Sequence, residues 1–182
     1  MPQTHPYLNR SNCPHHKNDH PSGMALISIG NSLRGDDGLA RALCNSLPLD
    51  KNCYCYFDLG NFSNLLGECL QGHRAAIIID TMQTRATPGT VSVLDLKTCA
   101  QTNSILQIKA SHGLSLLDEI RIAANKQTLP EKLLFFGVEI DSWGWSENLS
   151  KTIEELLPEI TAKLQAEINL LQNAEEEQHS YA

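Results

Sequence analysis

Short apolar runs alternate along the chain with segments in which apolar residues recur every three or four positions. Five runs of four to eight residues, rich in Ile, Val, Leu or aromatic residues, predict β-strands at 24–29, 53–57, 75–79, 90–94 and 133–140. Helical periodicity predicts helices at 38–47, 62–70, 114–125 and 147–172. This alternation predicts an α/β fold of three layers, a five-stranded, mostly parallel twisted sheet flanked by helices on both faces.

The last predicted helix carries the clearest apolar stripe, formed by Leu149, Ile153, Leu156, Leu157, Ile160, Leu164, Ile168 and Leu171. Pro158 lies inside this helix and is expected to kink or restart it. The fourth strand follows the third through a short turn at 87–90, so it is the strand that we expect to pair antiparallel.

The length and charge of the chain exclude several classes of protein. With 182 residues, 41% of them hydrophobic, the chain can build one good core. Its net charge of -7 disfavours a nucleic-acid partner, and no apolar run is long enough for a membrane span. The N-terminus lacks the order of a secretory signal, so we expect a cytoplasmic protein. Its six cysteines have no framework spacing, so we expect free thiols that fill the core.

Both ends differ in composition from the predicted domain at 24–172. Residues 1–23 are rich in Pro, His, Asn and Ser, which predicts a disordered, dispensable leader, or a leader that is absent if translation starts at Met24. Four soft donors there are expected to bind no specific metal: Cys13, His15, His16 and His20. Residues 173–182 read as an acidic disordered tail.

A glycine-punctuated turn, 30–38, joins the first strand to the first helix. Asp36 and Asp37 stand where a phosphate-binding loop needs a lysine and a hydroxyl, so the turn calls for a cation instead. The simplest interpretation is helix capping. One acid suffices for a cap, however, and we expect Asp37 to point out of the crevice above the sheet.

Two further residues follow this logic. Asp80 comes directly after the third apolar run, and ligands of open parallel sheets bind beyond the carboxyl ends of the strands. His112 lies in a loop before the third helix, whereas His73 is expected to be an ordinary polar loop residue. Asp37, Asp80 and His112 together would suit a first-row divalent metal such as nickel or zinc.

Other chemistry has less support. Cys53 and Cys55 lie on one face of a strand, but two thiols without a second pair fall short of a zinc site. No cysteine lies in a turn that would activate it as a nucleophile. Trp143 and Trp145 are expected to pack on the core, with presentation to a partner as the alternative.

Over residues 24–172 the chain resembles the nickel-iron hydrogenase maturation proteases. The resemblance rests on 29–38, on the apolar strand ending at Asp80, and on 88–91, 111–114 and 136–140. The Arg34-Gly35-Asp36-Asp37 variant is similar to the branch that serves bidirectional, NAD(P)-linked hydrogenases. Departures are the leader and Ala40, where a glycine is common in the family.

The resemblance implies an endopeptidase that removes the C-terminal extension of the nickel-loaded hydrogenase large subunit precursor. It also implies a metal-reading trio, Asp37, Asp80 and His112, with Asp37 and Asp80 as the catalytic carboxylates. The nickel would arrive with the precursor, and the protease is expected to be a monomer. Two alternatives stay open: a non-catalytic nickel-sensing assembly chaperone, and a small-molecule α/β enzyme that uses the 30–38 turn.

Overall fold

The computed structural model describes residues 23–47, 54–61, 63–98, 116–141 and 143–179. The strands are β1 (Met24–Ile29), β2 (Tyr54–Gly60), β3 (Ala75–Met82), β4 (Val91–Asp95) and β5 (Lys132–Glu139). The helices used below are α1 (Leu39–Ser46), α2 (Leu66–Leu70), α3 (Leu116–Asn125) and α4 (Lys151–His179). Short 3-10 turns cover Asp36–Gly38 and Ser63–Leu65.

The strands form one sheet in the order β2-β1-β3-β5-β4. Neighbours are parallel except β4, which pairs antiparallel with β5 from Val91↔Val138 to Asp95↔Leu134. The predicted fold class and the antiparallel fourth strand are therefore confirmed. Because the chain adds β2 on one side of β1 and β3 on the other, a crevice is expected where β1 and β3 end.

Two apolar cores cover the two faces of the sheet, since successive strand residues point to opposite sides. Ala25 and Ile27 of β1 belong to the core under α2 and α3, whereas Met24 and Leu26 belong to the core under α1 and α4. Each fully buried Leu or Ile stabilises the fold by about 1.5–3 kcal/mol. The three predicted layers are thus confirmed.

Two strands are longer than their apolar runs. The structure extends β2 to Gly60 and β3 to Met82, beyond the predicted ends at 57 and 79. In β3 the extension is held by the neighbouring strand, because the pairing with β5 continues from Asp80↔Gly137 to Met82↔Glu139. Asp80 therefore lies inside a strand rather than after one.

The final helix begins at Lys151 and continues to His179, beyond the predicted end at 172. Its stripe is confirmed, with Ile153, Ile160, Leu164, Ile168 and Leu171 all buried. A restart at Pro158 is the wrong expectation. Pro158 is exposed, and the buried residues on either side hold both helix turns against the sheet.

The cysteine expectation is partly wrong. Cys44 and Cys69 are buried thiols, as expected, but Cys55 is disulfide-bonded. Spacing along the chain could not reveal this bond, because folding decides which sulfur atoms meet. Cys53 and the four soft donors of the leader, which are expected to bind no specific metal, lie outside the described residues.

The described helices include none that is both long enough and apolar enough to span a membrane.

Candidate active site

The candidate site lies where β1 leaves the sheet and β3 continues. Pairing of β1 with β3 ends at Ser28↔Ile79, and the chain then turns at Gly30, whose φ is 137°. A Cβ atom on Gly30 would collide with the backbone carbonyl oxygen of Asp37. Only glycine therefore lets the loop fold back closely enough to bring Asp37 to the end of β3.

Asp37 is 1% exposed and lies against β3. Its Oδ2 accepts a hydrogen bond from the Asn31 backbone N–H at 3.0 Å. Its Oδ1 accepts one from the Thr81 hydroxyl at 3.2 Å. The expectation that Asp37 points out of the crevice is wrong, because the folded-back loop turns this carboxylate inward to the Thr81 hydroxyl on β3.

Asp80 is 4% exposed, and its Oδ1 accepts a hydrogen bond from the Thr81 backbone N–H at 2.7 Å. Burial raises the pKa of Asp80 to about 8, and the nearby charge of Asp37 contributes in the same direction, whereas the Thr81 N–H opposes the shift. The two carboxyl groups therefore interact electrostatically in a buried site that contains little water. We call Asp37 and Asp80 the acid pair.

The structure brings together two of the three predicted metal ligands. His112 lies outside the described residues, so its position relative to the acid pair stays a prediction. Within the described ranges, no three His, Cys, Asp or Glu side chains are grouped to hold a metal ion.

Asp36 has a different role from Asp37. Its two oxygens accept hydrogen bonds from the Ser150 N–H at 2.6 Å and the Ser150 hydroxyl at 2.9 Å, directly before α4. The Ser150 hydroxyl in turn accepts from the Ile153 N–H at 3.3 Å. Asp36 thus helps cap a distant helix, whereas neither its own 3-10 turn nor α1 has a side-chain cap. The capping prediction had the right chemistry and the wrong helix.

A second polar cluster lies beside the acid pair, at the ends of β1 and β2. Asp58 accepts a hydrogen bond from the Ser28 hydroxyl at 3.0 Å and forms a salt bridge with Arg41. Arg41, Asp58, Asn31 and the ends of both strands line a pocket of about 220 Å³. Sequence reasoning missed Asp58, although it directly follows a predicted strand, as Asp80 does.

Glu139 is a second acid that sequence reasoning did not single out. It is buried, and its Oε1 accepts hydrogen bonds from the N–H groups of Thr84, Arg85 and Ala86, at 2.6, 2.7 and 3.2 Å. Its Oε2 accepts from the Thr84 hydroxyl at 2.8 Å. Glu139 therefore fastens the loop after β3, where Arg85 has a positive φ of 73°.

The loop after β1 is also paired with the loop before α4. The Gly35 N–H donates to the Ser146 carbonyl at 2.7 Å, and the Ser146 N–H donates to the Leu33 carbonyl at 3.2 Å. Trp143 packs against the core, with the Arg34 guanidinium 5.7 Å from its ring centre. Trp145 is 86% exposed, so the packing prediction holds for the first tryptophan and fails for the second.

Two other residues with reactive side chains, Cys44 and His73, are buried. Burial raises the pKa of the Cys44 thiol to about 12, so this cysteine is not an activated nucleophile. His73 is buried with its ring edge-on to Phe57, at 5.7 Å between ring centres, rather than being an ordinary loop residue.

Known structures share this fold. The chain is similar to the hydrogenase maturating endopeptidase HybD from Escherichia coli, with 20% identity, a TM-score of 0.67, and coverage of 81% of this chain and 92% of that chain. An endopeptidase from Escherichia coli determined in solution has 23% identity and a TM-score of 0.63, covering 79% and 90%. A NiFe hydrogenase maturation protease HycI from Thermococcus kodakarensis KOD1 has 21% identity and a TM-score of 0.59, covering 80% and 91%. At this level of identity the likeness establishes the fold.

Comparison of the sequence with protein-family models identifies the family. No curated protein sequence matches the chain. The family model HycI, hydrogenase maturation protease, matches residues 42–167, a span that begins after Asp37 and includes Asp80 and His112. Because this match covers more than half of its length, the chain belongs to the hydrogenase maturation protease family.

Proposed function

We propose that this endopeptidase removes the C-terminal extension of a nickel-loaded hydrogenase large subunit precursor in the cytoplasm. We propose further that Asp37, Asp80 and His112 bind the nickel of that precursor. The observation that carries the proposal is the meeting of Asp37 and Asp80 near the carboxyl end of β3, in a chain of this family. The nickel belongs to the substrate, so the protease needs no resident metal.

The chemistry of the acid pair suits a cation. Two buried carboxyl groups repel each other when both are charged, and a divalent ion relieves that repulsion. Because the pKa of Asp80 is raised to about 8, Asp80 retains a proton at neutral pH, which a metal would displace. Carboxylate and imidazole ligands can reach a thiolate-bound nickel without displacing its cysteines. The protease can therefore recognise a loaded precursor and then leave.

Hydrolysis needs a group that takes a proton from water and a group that gives one to the departing nitrogen. Water adds to the scissile carbonyl carbon, the C–N bond breaks, and the released amine gains the proton. A carboxylate of the acid pair, through an oxygen that does not bind the metal, can take a proton from the attacking water and give it to the released amine. Asp80 is suited to this work because it lies beside Asp37 in a buried site. Polarisation of the water by the precursor's nickel is the alternative source of the nucleophile. No acyl-enzyme is required.

The test is cleavage of nickel-loaded and nickel-free precursor by Asp37→Asn, Asp80→Asn and His112→Gln, followed by mass spectrometry of the large subunit. The matched control is Asp118→Asn, which removes a half-exposed carboxylate on α3 that pairs with Arg121. We expect the wild type and the control to shorten only the loaded precursor, and the three variants to leave it intact. Normal cleavage by all three variants contradicts the proposal. An intact precursor with the wild type instead supports the nickel-sensing chaperone.

A further inference from the structure

Thr81 lies between the two carboxyl groups of the acid pair and contacts both. Its hydroxyl donates to Asp37 Oδ1 at 3.2 Å, and its backbone N–H donates to Asp80 Oδ1 at 2.7 Å. The residue is buried in β3 and pairs with Val138 of β5. One residue therefore holds an oxygen of each acid, although the acids come from different parts of the chain.

The position of Thr81 in the sheet explains both contacts. Pairing of β3 with β1 ends at Ile79, so β1 no longer covers this side of the strand at Thr81. The Thr81 N–H therefore donates to the Asp80 carboxylate, and the Thr81 hydroxyl donates to Asp37. Threonine is branched at Cβ and has few χ1 rotamers in a strand, so its hydroxyl direction is well defined. The rigid centre of the sheet thus sets the orientation of a carboxylate that belongs to a loop.

The Asp37 carboxylate also accepts a hydrogen bond from the Asn31 N–H, which comes from the same loop. That contact ties Asp37 to its loop, not to the sheet. The Thr81 hydroxyl, in contrast, links Asp37 to β3, the strand that carries Asp80. Removing this hydroxyl would leave each acid on its own element with less to fix the geometry between them.

We propose that Thr81 is a positioning residue of this protease, which sets the orientation of Asp37 relative to Asp80 through its hydroxyl. This inference rests on the proposed function, in which both acids act on the precursor. Thr81 touches neither the precursor nor its metal. Residues that orient ligating groups in this way typically change affinity or activity by about 10- to 100-fold when they are replaced.

The experiment compares Thr81→Val, which keeps the shape and removes the hydroxyl, with Thr81→Ser, which restores a hydroxyl. Thr128→Val is the matched control, because Thr128 is a half-buried threonine whose hydroxyl donates to the Ala123 carbonyl at 3.2 Å, away from the site. We expect Thr81→Val to lower kcat for loaded precursor about 10- to 100-fold, with KM within about twofold. We expect Thr81→Ser to recover most of that loss and Thr128→Val to match the wild type.

A crystal structure of Thr81→Val supplies a readout that does not depend on activity. We expect the Asp37 carboxylate to rotate away from its place beside β3 while the backbone of the sheet stays unchanged. If Thr81→Val does not fold, Thr81→Ala, which also lacks the hydroxyl, takes its place in every measurement. Wild-type kcat together with an unmoved Asp37 overturns the inference.

The outcomes separate this inference from the proposed function. If Asp37→Asn and Asp80→Asn lose cleavage but Thr81→Val does not, only the positioning role is wrong. If Asp37→Asn and Asp80→Asn cleave normally, the proposed site itself is wrong. If Thr81→Val and Thr81→Ser lose kcat equally, the effect belongs to packing of the threonine methyl group, and the hydroxyl role is overturned.

Discussion

Asp36 and Asp37 are adjacent and equally buried, yet the structure uses them in opposite ways. Asp36 meets two donors of Ser150 at the start of α4, so its contacts are those of a helix cap. Asp37 meets donors from its own loop and from β3, and also faces a second acid, Asp80. Burial alone does not distinguish an acid that stabilises the fold from an acid that is a candidate for catalysis. The groups around each carboxylate do.

Glu139 extends the comparison to a third buried acid. Four donors surround its two oxygens, so this carboxylate is held as firmly as Asp36. Asp80 differs because the effect of burial outweighs that of the hydrogen bond from the Thr81 N–H, which is why its pKa rises to about 8. A carboxylate that accepts several hydrogen bonds stabilises the fold. A buried carboxylate that lies near another acid instead binds a proton or a cation more readily.

The largest expected effect is on catalysis by the acid pair. We expect Asp80→Asn to lower the rate of precursor cleavage by about 10²- to 10⁴-fold, because it removes a group that exchanges protons in the reaction. Its free energy of unfolding at neutral pH should not fall, since the amide needs no costly ionisation. Single-turnover cleavage and urea denaturation measure the two effects. If Asp80→Asn cleaves the precursor at the wild-type rate, Asp80 does not differ in role from Asp36 and Glu139.

The pH dependence of stability should separate Asp80 from the other acids. The pKa of Asp80 rises from an ordinary 3.8 to about 8 in the folded protein. Between these values the folded protein holds a proton that the unfolded chain has lost, so the free energy of unfolding falls as pH rises. The contribution of one such group is at most about 1.4 kcal/mol per pH unit.

Urea denaturation at pH 5, 6.5 and 8, with a chelator present, tests this slope. We expect Asp80→Asn to lose less stability than the wild type across this range, and Asp118→Asn to follow the wild type. Parallel curves for the wild type and Asp80→Asn would be incompatible with a raised pKa for Asp80.

Glu139→Ala should destabilise the fold by about 2–4 kcal/mol, because three backbone N–H groups and one hydroxyl lose their acceptor. Water can reach part of this exposed loop, which keeps the loss below the sum for four buried groups. Urea denaturation measures the change, and Glu159→Gln on the exposed side of α4 serves as the control. A loss below about 0.5 kcal/mol would mean that Glu139 does not hold the loop.

The smallest effect is expected for Asp36→Asn, at about 1 kcal/mol. The amide keeps one acceptor for Ser150 but removes a negative charge from the N-terminus of α4. Folded Asp36→Asn should cleave precursor within a few-fold of the wild-type rate. If Asp36→Asn instead loses cleavage as Asp80→Asn does, Asp36 also acts in the reaction, and the contrast between Asp36 and Asp37 is wrong.

Much of the architecture followed from local pattern. Apolar runs and helical periodicity located the described strands and helices to within a few residues, apart from the end of the final helix. The short turn before the fourth strand predicted its antiparallel pairing. Asp80 could be singled out because an acid at the end of a buried run is a local signal. The extra length of β3 was not predictable, because pairing with β5, rather than hydrophobicity, carries the strand to Met82.

The sequence by itself determined the layers, the family and the choice of Asp37 and Asp80, since periodicity and motifs are properties of neighbouring residues. Only the tertiary structure decided which groups each acid contacts. Asp36 meets a serine 114 positions away, and Asp37 meets a threonine 44 positions away. Such contacts are set when distant elements pack together, so no local pattern contains them. The disulfide at Cys55 and the contact of Thr81 with Asp37 were not predictable for the same physical reason.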